Sequence, residues 1–444
     1  MEEVILWIGS FLITCLFLCN AWLCAKFIGF WLNPASIISS FWFIVIVIPL
    51  FIGFYAPVNP LAILFILIWV IVFTLPIYMF DWRYAVYKNK VKINFIFLFE
   101  SRFIVCCFLF LVLVCLVSYF FDLLSQGFKV ADFKSVISIA SAYTNKRYSD
   151  ELNITVFSKL AVFTSFPVVM LGGLIYGAKK RRTILFFSFL PSFFALFFQS
   201  AKGLLFVSAF LFIGGILVTS LFRSDFRLVK GRINKRIVML GFVVILSVIV
   251  SFLSRGLDKL PVEQMIDGLI RYLTTYSSGH LFAFSDWFDY KIGYPHINKY
   301  HDIENGYSYG MYTFMSIFKL FGRGGNIPLG IYDEFYSYGD YIFMTNIYTI
   351  FRGMILDFGF LGSVLFSLFL GYCFTVSFYR LLVNQFPSFH ITLFVFFIGA
   401  IYQSYLISSL SWLSLPVSIF FVSFVLYMAK SIYFLKFRML MDNR

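Results

Sequence analysis

Charged side chains are scarce in this chain of 444 residues. Asp, Glu, Lys and Arg make up 13% of the sequence, whereas they make up about 25% of a typical soluble protein. Hydrophobic residues reach 61% and aromatic residues 22%, and the apolar share of soluble proteins is only about 45–50%. The composition therefore excludes an ordinary soluble protein. It predicts an all-α polytopic membrane protein in which residues 1–444 form a single integral membrane domain.

Cysteines in polar segments are also lacking. All seven cysteines lie within apolar runs, so the sequence contains neither a disulfide framework nor the ligand spacing of a metal site. We interpret them as small apolar residues, and we expect no metal and no cofactor. The first apolar run lacks the basic residues that precede a signal peptide, because Glu2 and Glu3 stand there instead. We therefore predict that this run is an uncleaved span.

Long apolar runs are abundant. A helix needs about 20 residues to cross the hydrocarbon core of a bilayer, and about 11 stretches meet this requirement, although counts from ten to thirteen fit the sequence. The sixth stretch is short and contains Pro191, which is compatible with a kink or a tilted hairpin. The predicted spans are approximately 4–25, 37–55, 60–80, 103–121, 160–177, 183–198, 204–222, 237–253, 358–379, 391–410 and 412–429.

The basic residues predict the orientation of these spans. If the basic C-terminal tail is cytoplasmic, the inside segments hold 21 of the 35 Lys and Arg residues and 4 of the 21 Asp and Glu residues. Short loops rich in Lys and Arg face the cytoplasm. The rule thus predicts an N-terminus on the outside of the membrane and a C-terminus in the cytoplasm. The net charge of +14 is explained by this topology, and nothing in it supports a nucleic-acid partner.

Two predicted outside segments are long. Residues 122–159 form a smaller periplasmic loop, and residues 254–357 form a large one between spans 8 and 9. Loops of this length are usually functional or disordered, and the aromatic content of the large loop argues against disorder. Eleven of the 27 tyrosines lie between Tyr290 and Tyr348. We predict that the large loop carries the site for a glycan and a diphosphate.

Aromatic side chains in and near the large loop are candidates for sugar contact. Tyrosine combines a flat apolar face with a hydroxyl group at its edge, and a sugar has an apolar C–H face surrounded by hydroxyl groups. Trp287, Tyr307 and Tyr348 are therefore predicted glycan-binding residues. The alternative is an aromatic belt at the membrane surface, where Tyr and Trp are also enriched.

Basic residues on the predicted periplasmic side are candidates for binding a diphosphate, because arginine forms bidentate bonds with phosphate oxygens. In the sequence FGRGGN, glycines would let backbone N–H groups approach an anion close to the arginine. The alternative for each residue is a snorkelling side chain or an ion pair with an acidic residue of the loop. The candidates are Lys202, Arg255, Arg271 and Arg323.

The segment 310–322, GMYTFMSIFKLFG, places five apolar residues largely on one face of a helix. Such a helix would lie in the membrane surface, or it would be a small core helix of the folded loop. The two alternatives remain open at this point. The five residues are Met311, Phe314, Met315, Phe318 and Phe321.

Arg352 and Asp357 stand where the predicted ninth span begins. Five residues correspond to about 140° around a helix, so the two side chains should not form an ion pair within one helix. Asp357 is either the N-cap of the span or part of a site at the membrane surface.

Two stretches carry a family resemblance: TNIYTIFRGMILDFGFLGS at 345–363 and LIRYLTTYSSGHLFAFSDWF at 269–288. With the spans arranged around one dominant outside loop, they resemble the Wzy-type oligosaccharide repeat-unit polymerases, such as the O-antigen polymerases of Gram-negative bacteria. The resemblance implies a GT-C-like architecture and a periplasmic glycosyltransferase that uses neither nucleotide sugar nor metal. Its substrates would be undecaprenyl-diphosphate-linked oligosaccharides, in contact with membrane lipid. A Wzz-type copolymerase that regulates chain length would be its partner.

The implied reaction needs cations at the leaving diphosphate and a base near the acceptor hydroxyl. We predict His280, Arg352 and Asp357 as catalytic residues. Asp286 and Asp289 are further candidates for the base. Two other functions remain open. An O-antigen ligase would pass the glycan to a lipid A core, and a lipid-linked oligosaccharide flippase would need charged residues within its spans.

Overall fold

A computed structural model describes residues 2–54, 56–92, 95–129, 136–149, 151–227, 249, 252, 257, 260–301, 307–322, 332–340 and 342–442. These residues are mostly helical. In chain order, the helices and strands are α1 Glu2–Ile28, α2 Pro34–Ile52, α3 Pro60–Thr74, α4 Trp82–Val91, α5 Arg102–Ser125, α6 Val136–Tyr148, α7 Val156–Lys179, α8 Arg182–Gln199, α9 Lys202–Phe222, α10 Val262–Ile292, α11 Met315–Leu320, β1 Tyr336–Tyr338, β2 Ile342–Thr345, α12 Thr349–Val383, α13 Ser388–Ser404 and α14 Ser414–Asp442.

Nine helices within the described part of the chain are long and apolar enough to cross a membrane. They coincide with nine of the predicted spans and confirm an all-α polytopic membrane protein. The predicted span 391–410 corresponds to α13, which has 17 residues, and the predicted span 237–253 lies almost entirely outside the described residues. The count of 11 spans and the orientation remain predictions. The nine are Val4–Ile28, Pro34–Ile52, Pro60–Met79, Arg102–Ser125, Val156–Lys179, Arg182–Gln199, Lys202–Phe222, Thr349–Val383 and Ser414–Met441.

Local sequence explains where two of these helices begin. Asn33 and Asn59 precede α2 and α3, and each side chain accepts a hydrogen bond from a backbone N–H of the first turn. Pro34 and Pro60 follow directly. Proline is favoured at the first helical position, because its missing N–H has no helical partner there.

The chain divides into two compact units, and the single integral membrane domain stays a prediction. The first unit consists of Met1–Arg83, Pro261–Phe378 and Ala400–Leu413. The second unit consists of Tyr84–Leu260, Tyr379–Gly399 and Ser414–Arg444. The first unit contains most of the predicted large loop together with α1, α2 and α3.

The long helix α10 forms the centre of the first unit. Its residues from Ser278 to Phe288 are buried, and it packs on α2, α3 and the hairpin of β1 and β2. Glycine allows one of these approaches, because a Cβ atom on Gly279 would lie 2.9 Å from the side chain of Thr345 in β2. Much of the predicted loop is therefore a helix with a buried face.

Helix α12 begins earlier than the sequence indicated. It starts at Thr349, so Asp357 lies eight residues inside it and does not cap its N-terminus. The backbone of Gly359 interrupts the helix, with φ of 70° and ψ of 179°, a conformation that is essentially restricted to glycine. The N-cap interpretation of Asp357 is wrong, since it assumed that the helix starts at residue 358.

The predicted helix at 310–322 is shorter than expected. Helix α11 covers six residues, and turns precede it. Met315 is buried, whereas Phe321 is 77% exposed, so the predicted apolar residues do not share one buried face. The hydroxyl of Ser316 donates to the carbonyl of Leu410, 2.7 Å away. This contact favours the small packed helix over the surface helix.

In the second unit, α7 packs closely against α5 and α9. The smaller predicted loop is attached to these helices through Asp122, whose buried carboxylate accepts hydrogen bonds from Thr155, Gln199 and Tyr143. Part of that loop forms helix α6.

Candidate functional site

Arg352 is fully buried in the first turn of α12, at 1% exposure. Its Nη2 lies 3.0 Å from Oε2 of Glu334 and donates a hydrogen bond to it. Four aromatic rings also surround the guanidinium within cation–π range. The distances from Cζ to the ring centroids are 5.5 Å for Trp287, 5.3 Å for Tyr300, 4.2 Å for Tyr332 and 4.3 Å for Tyr348. We call these six residues the arginine cage.

The arginine cage joins separate parts of the chain. It brings together α10, the segment before β1 and the start of α12. Burial raises the pKa of the Glu334 carboxyl, but the charge of Arg352 and the hydrogen bond from the backbone N–H of His301 outweigh burial, so its pKa lies below the ordinary value. For the basic residues of the large loop, the alternative to phosphate binding was an ion pair with an acidic residue of the loop. Arg352 makes such a pair with Glu334, and its guanidinium is enclosed by protein.

Asp357 is also buried, at 1% exposure, and its carboxylate organises the turn before α11. Oδ1 accepts from the hydroxyl of Ser308 at 2.6 Å and from the backbone N–H of Tyr312 at 3.0 Å. Oδ2 accepts from the backbone N–H of Thr313 at 2.6 Å. As the sequence predicted, Arg352 and Asp357 do not form a pair, because each binds a different segment.

A stacked pair of tyrosines connects the arginine cage with the Asp357 turn. The rings of Tyr312 and Tyr332 are 5.7 Å apart and nearly parallel. Beside them lies a cavity of about 10 Å³, which is room for about one water molecule. Gly353 packs closely against this pair, since a Cβ atom on it would lie 3.1 Å from both tyrosines. The interior of this region is closely packed and polar.

Two carboxylates lie one turn apart at the C-terminal end of α10. Asp286 is buried and accepts hydrogen bonds from four donors. One donor binds Oδ1 and three bind Oδ2, so the carboxylate is held by hydrogen bonds within the protein. The donors are the backbone N–H groups of Ile297 and Asn298, the side-chain amide of Asn298 and the hydroxyl of Tyr300.

Asp289 has a different environment. Its side chain is half-buried, and it accepts a short hydrogen bond from the amide of Asn59. Burial raises the pKa of the Asp289 carboxyl to about 6; the bond from Asn59 opposes this rise, the charge of Asp286 adds to it, and the charge of His296 opposes it. The exposed loop beside it carries His296 and Tyr294. Among the candidate bases, Asp289 is the one that combines access to solvent with a pKa near neutrality, which suits a general base.

His280 was chosen from the sequence as the base for neutral pH. It is 4% exposed, its Nε2 lies 3.2 Å from the carbonyl oxygen of Val45, and its ring contacts Tyr405 edge to face. Burial lowers the pKa of His280 to about 4. The imidazole therefore stays neutral at pH 7 and lies in the core of the first unit, where a substrate hydroxyl does not reach it in this conformation.

The predicted diphosphate-binding residues are not gathered in one place within the described structure. Arg271 on α10 is half-exposed, and its Nη2 lies 3.8 Å from the exposed carboxylate of Asp340. Lys202 begins α9 in the second unit, where it is nearly buried with its Nζ 3.3 Å from the centre of the Phe252 ring. Arg255 and Arg323 lie outside the described residues.

The predicted glycan-binding residues divide into two groups. Trp287 and Tyr348 are fully buried in the arginine cage, so a sugar does not reach their faces in this conformation. Tyr307 is 56% exposed, and its ring covers Gly359. Sequence reasoning did not single out Tyr294 and Tyr309, which are 56% and 79% exposed. Their places in turns beside glycine, in IGY and YSYG, were the available signal.

No protein-family model, curated protein or solved structure matches this chain.

Proposed function

We propose that this protein is a glycosyltransferase that polymerises undecaprenyl-diphosphate-linked oligosaccharide repeat units into O-antigen or a related surface polysaccharide. The reaction would take place at the periplasmic face of the bacterial inner membrane, without a metal. The resemblance of residues 269–288 and 345–363 to Wzy-type polymerases supplies the substrate class. Two general features support the proposal. A lipid-linked substrate requires a membrane protein, and a glycan requires an aromatic surface outside the spans.

The observation that carries the proposal is the pair of carboxylates at the end of α10. The carboxylate of Asp286 accepts hydrogen bonds from four donors within the protein. The carboxylate of Asp289 is half-buried, has a raised pKa and lies beside an exposed loop. A base of this kind suits the removal of a proton from a sugar hydroxyl. It lies next to Asn59, which caps α3, one of the helices long enough to cross the membrane.

The proposed reaction is a single displacement. Asp289 takes the proton of the acceptor hydroxyl, the hydroxyl oxygen bonds to the anomeric carbon of the lipid-linked sugar, and the bond from that carbon to the diphosphate breaks. Undecaprenyl diphosphate leaves as an anion that fixed cations stabilise. Arg271 is half-exposed, but it stands about 27 Å before Asp289 on the same helix, so it does not reach the diphosphate whose acceptor Asp289 deprotonates. The exposed rings of Tyr294, Tyr307 and Tyr309 are the surfaces we assign to sugar stacking.

The test is a glycan ladder from cells in which the gene is deleted and then restored. Deletion should leave lipid capped with a single repeat unit, and the restored gene should return long chains. Asp289→Asn should leave mostly single units at normal protein level, because the amide cannot take a proton. Glu263→Gln is the matched control, since its carboxylate is exposed near the start of the same helix. A normal ladder from Asp289→Asn would contradict the role of Asp289 as the base. A normal ladder after deletion of the gene would contradict the proposed polymerase function.

An O-antigen ligase would produce a different result with the same material. Its product is a glycan on lipid A core, whereas the polymerase product remains on undecaprenyl diphosphate. Purified protein supplied with each acceptor separates the two. Growth of the lipid-linked chain in the absence of lipid A core would support the polymerase.

A further inference from the structure

The second unit contains a groove of about 440 Å³ that lies between the start of α13 and the middle of α14. This volume is within the range of about 300–1,000 Å³ that is common for ligand sites. The groove shares no residue with the carboxylate pair or the arginine cage. Its lining includes Asn384, Phe389, His390, Phe424, Tyr427 and Lys430.

Phe424, Tyr427 and Lys430 of α14 line the groove, and Phe420 extends this aromatic stripe by one turn beyond the lining residues. Phe420, Phe424 and Tyr427 follow each other at helical spacing and are 64%, 61% and 59% exposed. Lys430 continues the stripe by one further turn and is half-buried. The eleven residues from Phe420 to Lys430 extend over about 15 Å of helix. This length is about half of the ~30 Å hydrocarbon core, which corresponds to one leaflet.

Lys430 is the basic residue that lines the groove, and Arg380 lies close enough to His390, which also lines it, to interact with it electrostatically. The segments 379–399 and 414–441 contain neither Asp nor Glu, and Asp442 follows at the end of α14. An occupant with a negative charge at the Lys430 end and an apolar chain along the stripe is complementary to this surface.

The position of the groove along the helices identifies the kind of anion. Helix α14 is long and apolar enough to cross a membrane, and α13 begins at Ser388, beside the groove. Lys430 precedes the basic end of α14, so it lies where lipid headgroups begin. Basic pockets between membrane helices at this depth bind anionic headgroups. The orientation predicted from the sequence puts this end at the cytoplasmic leaflet.

We propose that this groove binds one anionic phospholipid. Its phosphate lies at Lys430, and one acyl chain runs along Phe424 and Phe420. This site is separate from the proposed glycosyl transfer, and it would hold a structural lipid whether or not that function is correct.

The test is native mass spectrometry of the full-length protein released from nanodiscs that contain phosphatidylglycerol or phosphatidylcholine. Wild type should retain one phosphatidylglycerol more firmly than phosphatidylcholine. Lys430→Gln should lower that retention about fivefold, the factor that corresponds to one lysine–headgroup interaction of about 1 kcal/mol. Lys436→Gln is the matched control, because it removes an equal charge from the same helix at a position that does not line the groove.

A second variant separates the acyl contact from folding. Phe424 is exposed, so Phe424→Ala leaves the packing of α14 intact and should lower retention of the same lipid. Equal retention in wild type and both groove variants would overturn the proposal. Three other results would also overturn it. Lys436→Gln could lower retention as much as Lys430→Gln does, or wild type could retain phosphatidylcholine as firmly as phosphatidylglycerol. Undecaprenyl phosphate, added in an equal amount, could displace phosphatidylglycerol.

Discussion

Replacing Arg352 by methionine removes the positive charge from the arginine cage while keeping a long, flexible side chain there. Glu334 then loses its partner at 3.0 Å, and four rings lose a cation that lies 4.2–5.5 Å from their centres. Removing one member of a buried ion pair costs about 3–5 kcal/mol. The side chain of Glu334 keeps 13% exposure, so we expect the lower end, about 3 kcal/mol.

The measurement is a double-mutant cycle on thermal unfolding of the purified protein. A loss of about 3 kcal/mol corresponds to about 6–12 °C in a unit of this size. Glu334→Gln should also lower the unfolding temperature, because it leaves the buried guanidinium of Arg352 without a counter-charge. The double variant Arg352→Met/Glu334→Gln should be more stable than the sum of the two losses predicts, because neither charge is left alone.

The glycan ladder separates two roles for Arg352. If it holds the fold, long chains should weaken in Arg352→Met together with the amount of folded protein, and the double variant should recover both. If it binds the diphosphate directly, the double variant should be stable but should make no long chains. That second result, or an unchanged unfolding temperature in Arg352→Met, would refute the structural role assigned to the cage.

Three further predictions concern buried or strained positions. Burial lowers the pKa of His280 to about 4 in the folded protein, below the value of about 6.5 in an unfolded chain. The free energy of unfolding should therefore fall by about 2 kcal/mol from pH 7 to pH 5, because the unfolded state takes up the proton. His280→Gln should remove this pH dependence in a thermal shift assay, and an unchanged dependence would contradict the prediction. Asp289 is protonated below a pKa of about 6, so chain formation should fall as the pH drops through 6, and a flat profile would argue against Asp289 as the base. Gly359→Ala places a Cβ atom 2.9 Å from the Tyr307 ring, in a backbone conformation that alanine disfavours. The free energy of unfolding should therefore fall by about 1–3 kcal/mol in a thermal unfolding measurement. Gly203→Ala is the control, because nothing lies within 4 Å of a Cβ atom there.

The sequence predicted what depends on composition and on helical length. Nine apolar helices in the described part of the chain lie where apolar runs of about 20 residues predicted them, whereas the Asn-Pro pairs at which α2 and α3 begin were not singled out. The helical turns from Thr349 to the kink at Gly359 were not predicted, because Arg352 and Asp357 were taken to mark the end of the span. The partner of Arg352, Glu334, is 18 residues away in the sequence, so helical spacing could not identify it.

The candidate site was harder to predict, because sequence gives the type of a residue but not its access to solvent. His280 and Asp289 lie nine residues apart on one helix and are both titratable. Contact with Val45 and Tyr405 lowers the solvent access of His280, whereas the end of α10 leaves Asp289 half-exposed. Lys92 is a similar case. It was counted only as a basic residue of an inside loop, yet its Nζ donates to the carbonyls of Leu381 and Leu382 at the end of α12.

The charges of the first unit divide between holding the fold and facing solvent. Arg352 and Asp357 are each about 1% exposed and have partners from other segments, Glu334 for the first and the turn at 308–313 for the second. Both partners lie in the predicted large loop, so the start of α12 anchors that loop at two points. Such anchoring suits a transferase, since a base and a sugar-stacking surface must be held at fixed distances. Under the proposed function, we expect Arg352 and Asp357 to be needed for chain formation through the fold, and Asp289, which is half-exposed, to take the proton.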